Sequence, residues 1–164
     1  MEYDVRLEQL SSRPLAVVRR RAARPELSRI VPDACGTVWS VVRSQQITGA
    51  GRHVAVYLDD QINLEVGVEL NTPFAGSGEV VGSVTPPGPV ATTTHFGPYG
   101  LLHEAHEAIR LWCGKNGYTF AGPNWEIYGH WEEEWNNDPS KISTEIYYLL
   151  VADGSSAARA TKGN

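Results

Sequence analysis

Residues 14–22, PLAVVRRRA, and residues 89–97, PVATTTHFG, hold matching places in the two halves of a 164-residue chain. Each opens on proline and runs into β-branched and alanine residues, the composition of a half-buried strand. Working outward, HVAVYLD at 53–59 matches NWEIYGHW at 124–131, and NLEVGVEL at 63–70 matches STEIYYLL at 143–150. The alignment sets Tyr57 against Tyr128 and Glu65 against Glu145. Between the matched strands each half carries a helical stretch. In the first, Pro32 is placed to open a helix carrying Val38, Trp39, Val41 and Val42. In the second, Pro98 precedes a stripe of Leu102, Ala105, Ile109 and Trp112, spaced as one helical face requires, until Gly114 and Asn116-Gly117 stop it. A further alternating run precedes each half, Val5 and Leu7 in one and GEVVGSV at 78–84 in the other. Each half thus reads strand, strand, helix, strand, strand. The expected fold is α+β, with two similar halves about a pseudo-twofold axis, a curved antiparallel sheet, helices on one face and a ligand groove on the other.

Composition narrows the function. Hydrophobic residues make up 41% of the chain and the formal net charge is −5, so one compact domain over 1–152 is expected. The tail 153–164 is small and polar and reads as disordered. The one basic cluster, Arg19, Arg20, Arg21 and Arg24, is too short to neutralise a phosphate backbone, which argues against a nucleic-acid partner. No apolar run reaches the roughly 20 residues of a membrane span, and the charged start is not a signal peptide. Two cysteines without a framework, Cys35 and Cys113, suit a reducing cytoplasm and read as small buried groups. His103, His106 and Glu107 lack zinc-protease spacing and lie off the apolar stripe, so they read as a solvated helix face with no metal. No phosphate loop, dinucleotide fingerprint or serine elbow is present, and no cofactor is expected.

What remains is a strand face carrying carboxylates among aromatic rings. Side chains alternate along a strand, so Glu145 and Tyr147 share one face of their strand, and Glu126 and Tyr128 share one face of theirs. Assigning both to the same side of the sheet places Tyr128, Tyr147 and Glu126 around Glu145. Trp125 stands nearby, Glu65 is the repeat equivalent, and Tyr57 and Tyr99 are further aromatic candidates. A carboxylate ringed by aromatic groups suits a lipophilic cation, which gains both ion pairing and cation–π attraction.

The run HFGPYGLLHEAHEAIRLW at 95–112, then GPNWEIYGHW at 122–131, an acidic loop with Asp138-Pro139, and TEIYYLLV at 144–151 resembles the GyrI-like small-molecule-binding domain. That domain also serves as the effector-binding module of some AraC-type and MerR-type multidrug regulators. The resemblance runs from the PLAVVRRRA strand to Val151. It implies a duplicated β-α-β-β fold of SHS2 type and a groove for bulky hydrophobic, aromatic and often cationic compounds. It also implies an acidic residue in the final strand, here Glu145, with Tyr128 as its aromatic partner. The chain is expected to be a stand-alone version that sequesters or senses drugs in xenobiotic resistance. Some stand-alone relatives hydrolyse strained electrophilic natural products with a glutamate and a tyrosine or tryptophan. Glu145 and Tyr128, with Trp125 and Glu126, are compatible with that alternative. No protein partner is implied by these residues, although a module inhibiting a larger enzyme is a third class.

Overall fold

The computed structural model describes residues 2–59 and 63–151. The tail 153–164 and part of the turn at Asp59-Asp60-Gln61 lie outside the described residues. The strands are β1 (Arg6–Leu10), β2 (Pro14–Arg21), β3 (His53–Tyr57), β4 (Asn63–Glu69), β5 (Val81–Val84), β6 (Gly88–Phe96), β7 (Phe120–Tyr128) and β8 (Ser143–Leu150). Helix α1 is Leu27–Ser44 and α2 is Leu102–Asn116. Each half contributes strand, strand, helix, strand, strand, the order anticipated from the sequence. No helix among the described residues is long and apolar enough to cross a membrane.

All eight strands join one antiparallel sheet in the order β1-β6-β8-β7-β3-β4-β2-β5. From the β3–β7 seam outward, the order is β3-β4-β2 on one side and β7-β8-β6 on the other. The registers follow the sequence alignment as well. Val18 faces Val66 in the first half, and the aligned Thr93 faces Ile146 in the second. At the middle of the seam Ala55 pairs with Glu126, and the same alignment makes these two residues equivalents. The flanking strands cross over: β1 pairs with β6 of the second half, and β5 with β2 of the first.

Both helices pack on one face, α1 over β2 and β4, and α2 over β6 and β8. Helix α1 buries Ala34, Val38 and Val42 against Ala16, Val18, Val66 and Val68. Helix α2 buries Leu102, Ala105, Ile109 and Cys113 against Ala91, Ile146 and Tyr148. It ends at Gly117, whose φ of 77° is a left-handed cap that glycine adopts without a Cβ clash. Pro32 does not open α1, as its composition suggested, but lies inside it. The short 3-10 turn Arg24–Glu26 leads into the helix earlier, at Leu27. There, in the second turn, Pro32 forfeits the hydrogen bond that a residue with an N–H would make to the Ser28 carbonyl.

The opposite face has no helix, yet it is equally dry. Leu15, Val17, Val54, Val56, Val90, Trp125 and Ile127 form a buried cluster on it. This cluster draws on β2 and β6, which lie near opposite ends of the strand order, so the sheet must curl toward that face. The paired strands β2 and β4 approach closely at Gly67, where a Cβ would lie 1.8 Å from the Ala16 carbonyl oxygen. The curved antiparallel sheet is therefore as expected, but the open groove is not on the face away from the helices. That side is closed by the sheet itself.

Candidate functional site

Because α1 covers β2 and β4 while α2 covers β6 and β8, the helix-side face of the β3–β7 seam is left open between them. A groove of two adjoining lobes, about 410 and 620 Å³, occupies this gap, and both lobes touch Leu27, Tyr57, Tyr99, Leu102 and Glu126. One lobe adds His106, Arg110, Asn124 and Tyr148. The other adds Val31, Cys35, His53 and Tyr128. Glu126 is the carboxylate common to both.

Glu126 is 6% exposed and well supplied with donors. The Tyr128 hydroxyl donates to its Oε1 at 2.5 Å, and the Tyr57 hydroxyl does so at 3.4 Å. His106 Nε2 lies 2.6 Å from Oε2, and His106 Nδ1 lies 2.7 Å from the Tyr148 hydroxyl. Hydrogen bonds to a buried carboxylate offset the loss of water that would otherwise make its charge costly. Around it the phenols stay neutral. Burial, and then the charge of Glu126, push Tyr128 well above the ordinary phenol range, and burial also raises Tyr99. The Cys35 thiol is pushed up to about 11 by burial, and His53 is held below the usual imidazole range by burial and then His130. Tyr99 meets Tyr128 edge-on at 5.7 Å between ring centres. The Arg110 guanidinium sits 5.8 Å from the centre of the Tyr148 ring and pairs with Glu107 at 3.7 Å.

The sites expected from the sequence divide between two faces. Tyr57, Tyr99, Glu126 and Tyr128 line the groove. Glu145, Tyr147 and Trp125 do not: the β7–β8 register sets Glu126 against Ile146 and Ile127 against Glu145, so Glu145 points to the curled face. There Glu145 accepts from Arg52 Nη1 at 2.7 Å and from the Tyr147 hydroxyl at 2.6 Å. Arg52 also donates to Glu69, and Trp125 stacks on Tyr147 at 5.4 Å. Glu65 is engaged elsewhere on that face by Arg19 and Ser83. The assignment of Glu145 and Tyr128 to one cluster is thus corrected. Strand alternation orders faces within a strand, and only register relates one strand to the next.

Of the side chains hydrogen-bonded around Glu126, His106 and Tyr148 are not among the expected site residues. His106, which the sequence places on a solvated helix face, is largely buried against Glu126. Its position four residues after Leu102 and three before Ile109 is a flank of the buried stripe, and that spacing was the available signal. Tyr148, buried beneath α2, finds a partner for its hydroxyl in His106 Nδ1. His103 Nδ1 turns back to the Gly100 carbonyl, and no group of three or more metal-binding side chains is assembled among the described residues.

Comparison with known proteins places this architecture. The C-terminal domain of EcmrR is similar at 21% identity and a TM-score of 0.72, over 92% of this chain and 99% of that one. The fold is that of a GyrI-like domain. SAV2435, solved bound to tetraphenylphosphonium, is similar at 14% identity and a TM-score of 0.64, over 93% of this chain and 95% of that one. A hydrolase from Listeria innocua is similar at 10% identity and a TM-score of 0.58, over 90% of this chain and 91% of that one. No family model matches the sequence, and no curated protein matches it closely enough to count as a relative.

Proposed function

We propose that this GyrI-like domain binds bulky aromatic cations in the groove between α1 and α2, with Glu126 as counter-ion. The observation that carries the reading is the buried Glu126 carboxylate, central to both lobes and ringed by the phenols of Tyr57, Tyr128 and, nearby, Tyr99. Aromatic faces attract cations within about 6 Å of the ring centre, and a desolvated carboxylate adds a net charge. Glu145 is a weaker counter-ion because Arg52 already neutralises it. That SAV2435 was solved with tetraphenylphosphonium supports the choice of ligand class on a shared fold. The two halves descend from one duplicated unit, and their aligned positions hold Ala55 in one and Glu126 in the other, leaving one acid at the seam. The proposed role is sequestration or sensing in the cytoplasm, without a nucleic-acid partner, in keeping with the net charge of −5.

Calorimetric titration with tetraphenylphosphonium tests this reading, with the neutral triphenylphosphine oxide as control. Micromolar binding of the cation and much weaker binding of the oxide support it; equal binding, or none, refutes it. A second reading, hydrolysis of strained electrophiles, draws on the 2.5 Å contact of Tyr128 with Glu126, an acid and a carboxylate side by side. Mass spectrometry of recovered ligand separates the two, since a binder returns it unchanged.

A further inference from the structure

His106 contributes the second charge of the groove, and its charge is variable. In its neutral form the two contacts define one arrangement: Nε2–H donates to Glu126 Oε2, and Nδ1 accepts from the Tyr148 hydroxyl. The imidazolium fits the same place, because both ring nitrogens then donate and the Tyr148 hydroxyl accepts. The site therefore holds either form without moving a heavy atom. Its net charge changes all the same. With neutral His106 the pair carries −1, held by Glu126; with protonated His106 the pair is a closed ion pair and carries none.

We propose that His106 determines the charge selectivity of the groove, exchanging its proton for the incoming cation. The inference rests on the cation-binding reading above and adds the residue that regulates it. A permanent cation entering beside Glu126 meets attraction when His106 is neutral. When His106 is charged, the newcomer meets a neutralised acid and a like charge. Binding thus favours the neutral imidazole, and each cation bound to the protonated state returns one proton to solvent. The affinity for cations falls as pH drops through the range where His106 takes up its proton, and reaches a plateau above it.

The groups facing His106 are known from each neighbouring element. They are Glu126 and Tyr128 on β7, Tyr148 on β8, Tyr57 on β3 and Tyr99 before α2, with Cys35 across the groove on α1. His103 and Arg110 lie on its own helix. Arg110 holds a fixed charge, and the Tyr128 and Tyr99 phenols and the Cys35 thiol are raised away from neutrality. His53, the other imidazole in the lining, is held below the usual range, so its charge change comes at lower pH than an ordinary imidazole's.

The test uses tetraphenylphosphonium, whose own charge does not titrate, between about pH 5.5 and 8, the span in which imidazoles ordinarily change charge. Titrations in two buffers of different ionisation enthalpy count the protons released. The expected result is a loss of affinity toward the lower pH, with protons released on cation binding wherever that loss occurs. His106→Gln keeps a donor for Glu126 and an acceptor for Tyr148; it should bind with a single, pH-independent affinity and release no proton. His53→Gln, whatever it does to the plateau affinity, should keep the wild-type dependence on pH. In case His106→Gln does not fold, nitrogen-detected NMR of the wild-type imidazole gives the same answer: the ligand should shift the titration of His106 to lower pH. A slope that survives His106→Gln, an absence of proton release, or a His106 titration unmoved by ligand overturns the proposal and leaves the cation site standing. Failure of tetraphenylphosphonium to bind at any pH overturns both.

Discussion

Replacing Glu126 by Gln removes one charge from the centre of the groove and little else. The Gln carbonyl still accepts from Tyr128 and Tyr57, and its amide can donate to His106 Nε2 once the imidazole proton moves to Nδ1 and is donated to the Tyr148 hydroxyl, so the fold keeps its hydrogen bonds. The phenyl shell of tetraphenylphosphonium keeps its phosphorus about 6 Å from any carboxylate oxygen. At that distance, with an effective dielectric constant near 20, the lost attraction is about 2–3 kcal/mol. This corresponds to a drop in affinity of roughly 30- to 150-fold, measured by calorimetry near pH 8. Triphenylphosphine oxide, of similar ring content and no net charge, should lose less than about 0.5 kcal/mol, since only polarity at one wall has changed. Equal losses for both compounds would refute the reasoning, because they would show that Glu126 acts through shape or stability and not through charge.

Glu145→Gln should leave the affinity for tetraphenylphosphonium within about twofold, while lowering stability by roughly 1 kcal/mol in urea unfolding, since its partly exposed pair with Arg52 is lost. Gly67→Ala should destabilise the fold by about 2–4 kcal/mol in the same assay, as the added methyl meets backbone that no rotamer change can clear. Cys35, with its thiol pushed up to about 11, should alkylate slowly at neutral pH and faster as pH rises toward that value, because burial disfavours the reactive thiolate. Peptide mapping should also show tetraphenylphosphonium protecting Cys35, which lines the groove, and not Cys113, which is buried on the inner face of α2 away from the groove lining.

Much of the fold was legible because local signals agreed. The period-2 runs, the Asn116-Gly117 stop and the helical stripe of Leu102, Ala105 and Ile109 each marked an element that the structure contains. The candidate site was legible only in part. Glu126 and Tyr128 were recognised as a pair, but their relation to Glu145 depends on which residue of β8 lies opposite, and no strand encodes its partner's register alone. Apolar content could not arbitrate, since the curl of the sheet buries Trp125 and Ile127 as fully as the helices bury Ile146. A strand in a one-sided sheet would have shown a polar outer face; this sheet is two-sided at its centre. His106 was obscured for a related reason. A histidine beside an apolar stripe looks solvated until the facing carboxylate is known.

The claim on which the account turns is the location of the ligand, and one measurement addresses it directly. Crystals soaked with tetraphenylarsonium carry an anomalous scatterer at the centre of the cation. The account predicts an arsenic peak on the helix side of the sheet, between α1 and α2, about 6 Å from the Glu126 carboxylate and within reach of the Tyr57, Tyr99 and Tyr128 rings. A peak against Trp125 and Tyr147 beside Glu145, or no peak in the groove at saturating ligand, would contradict it.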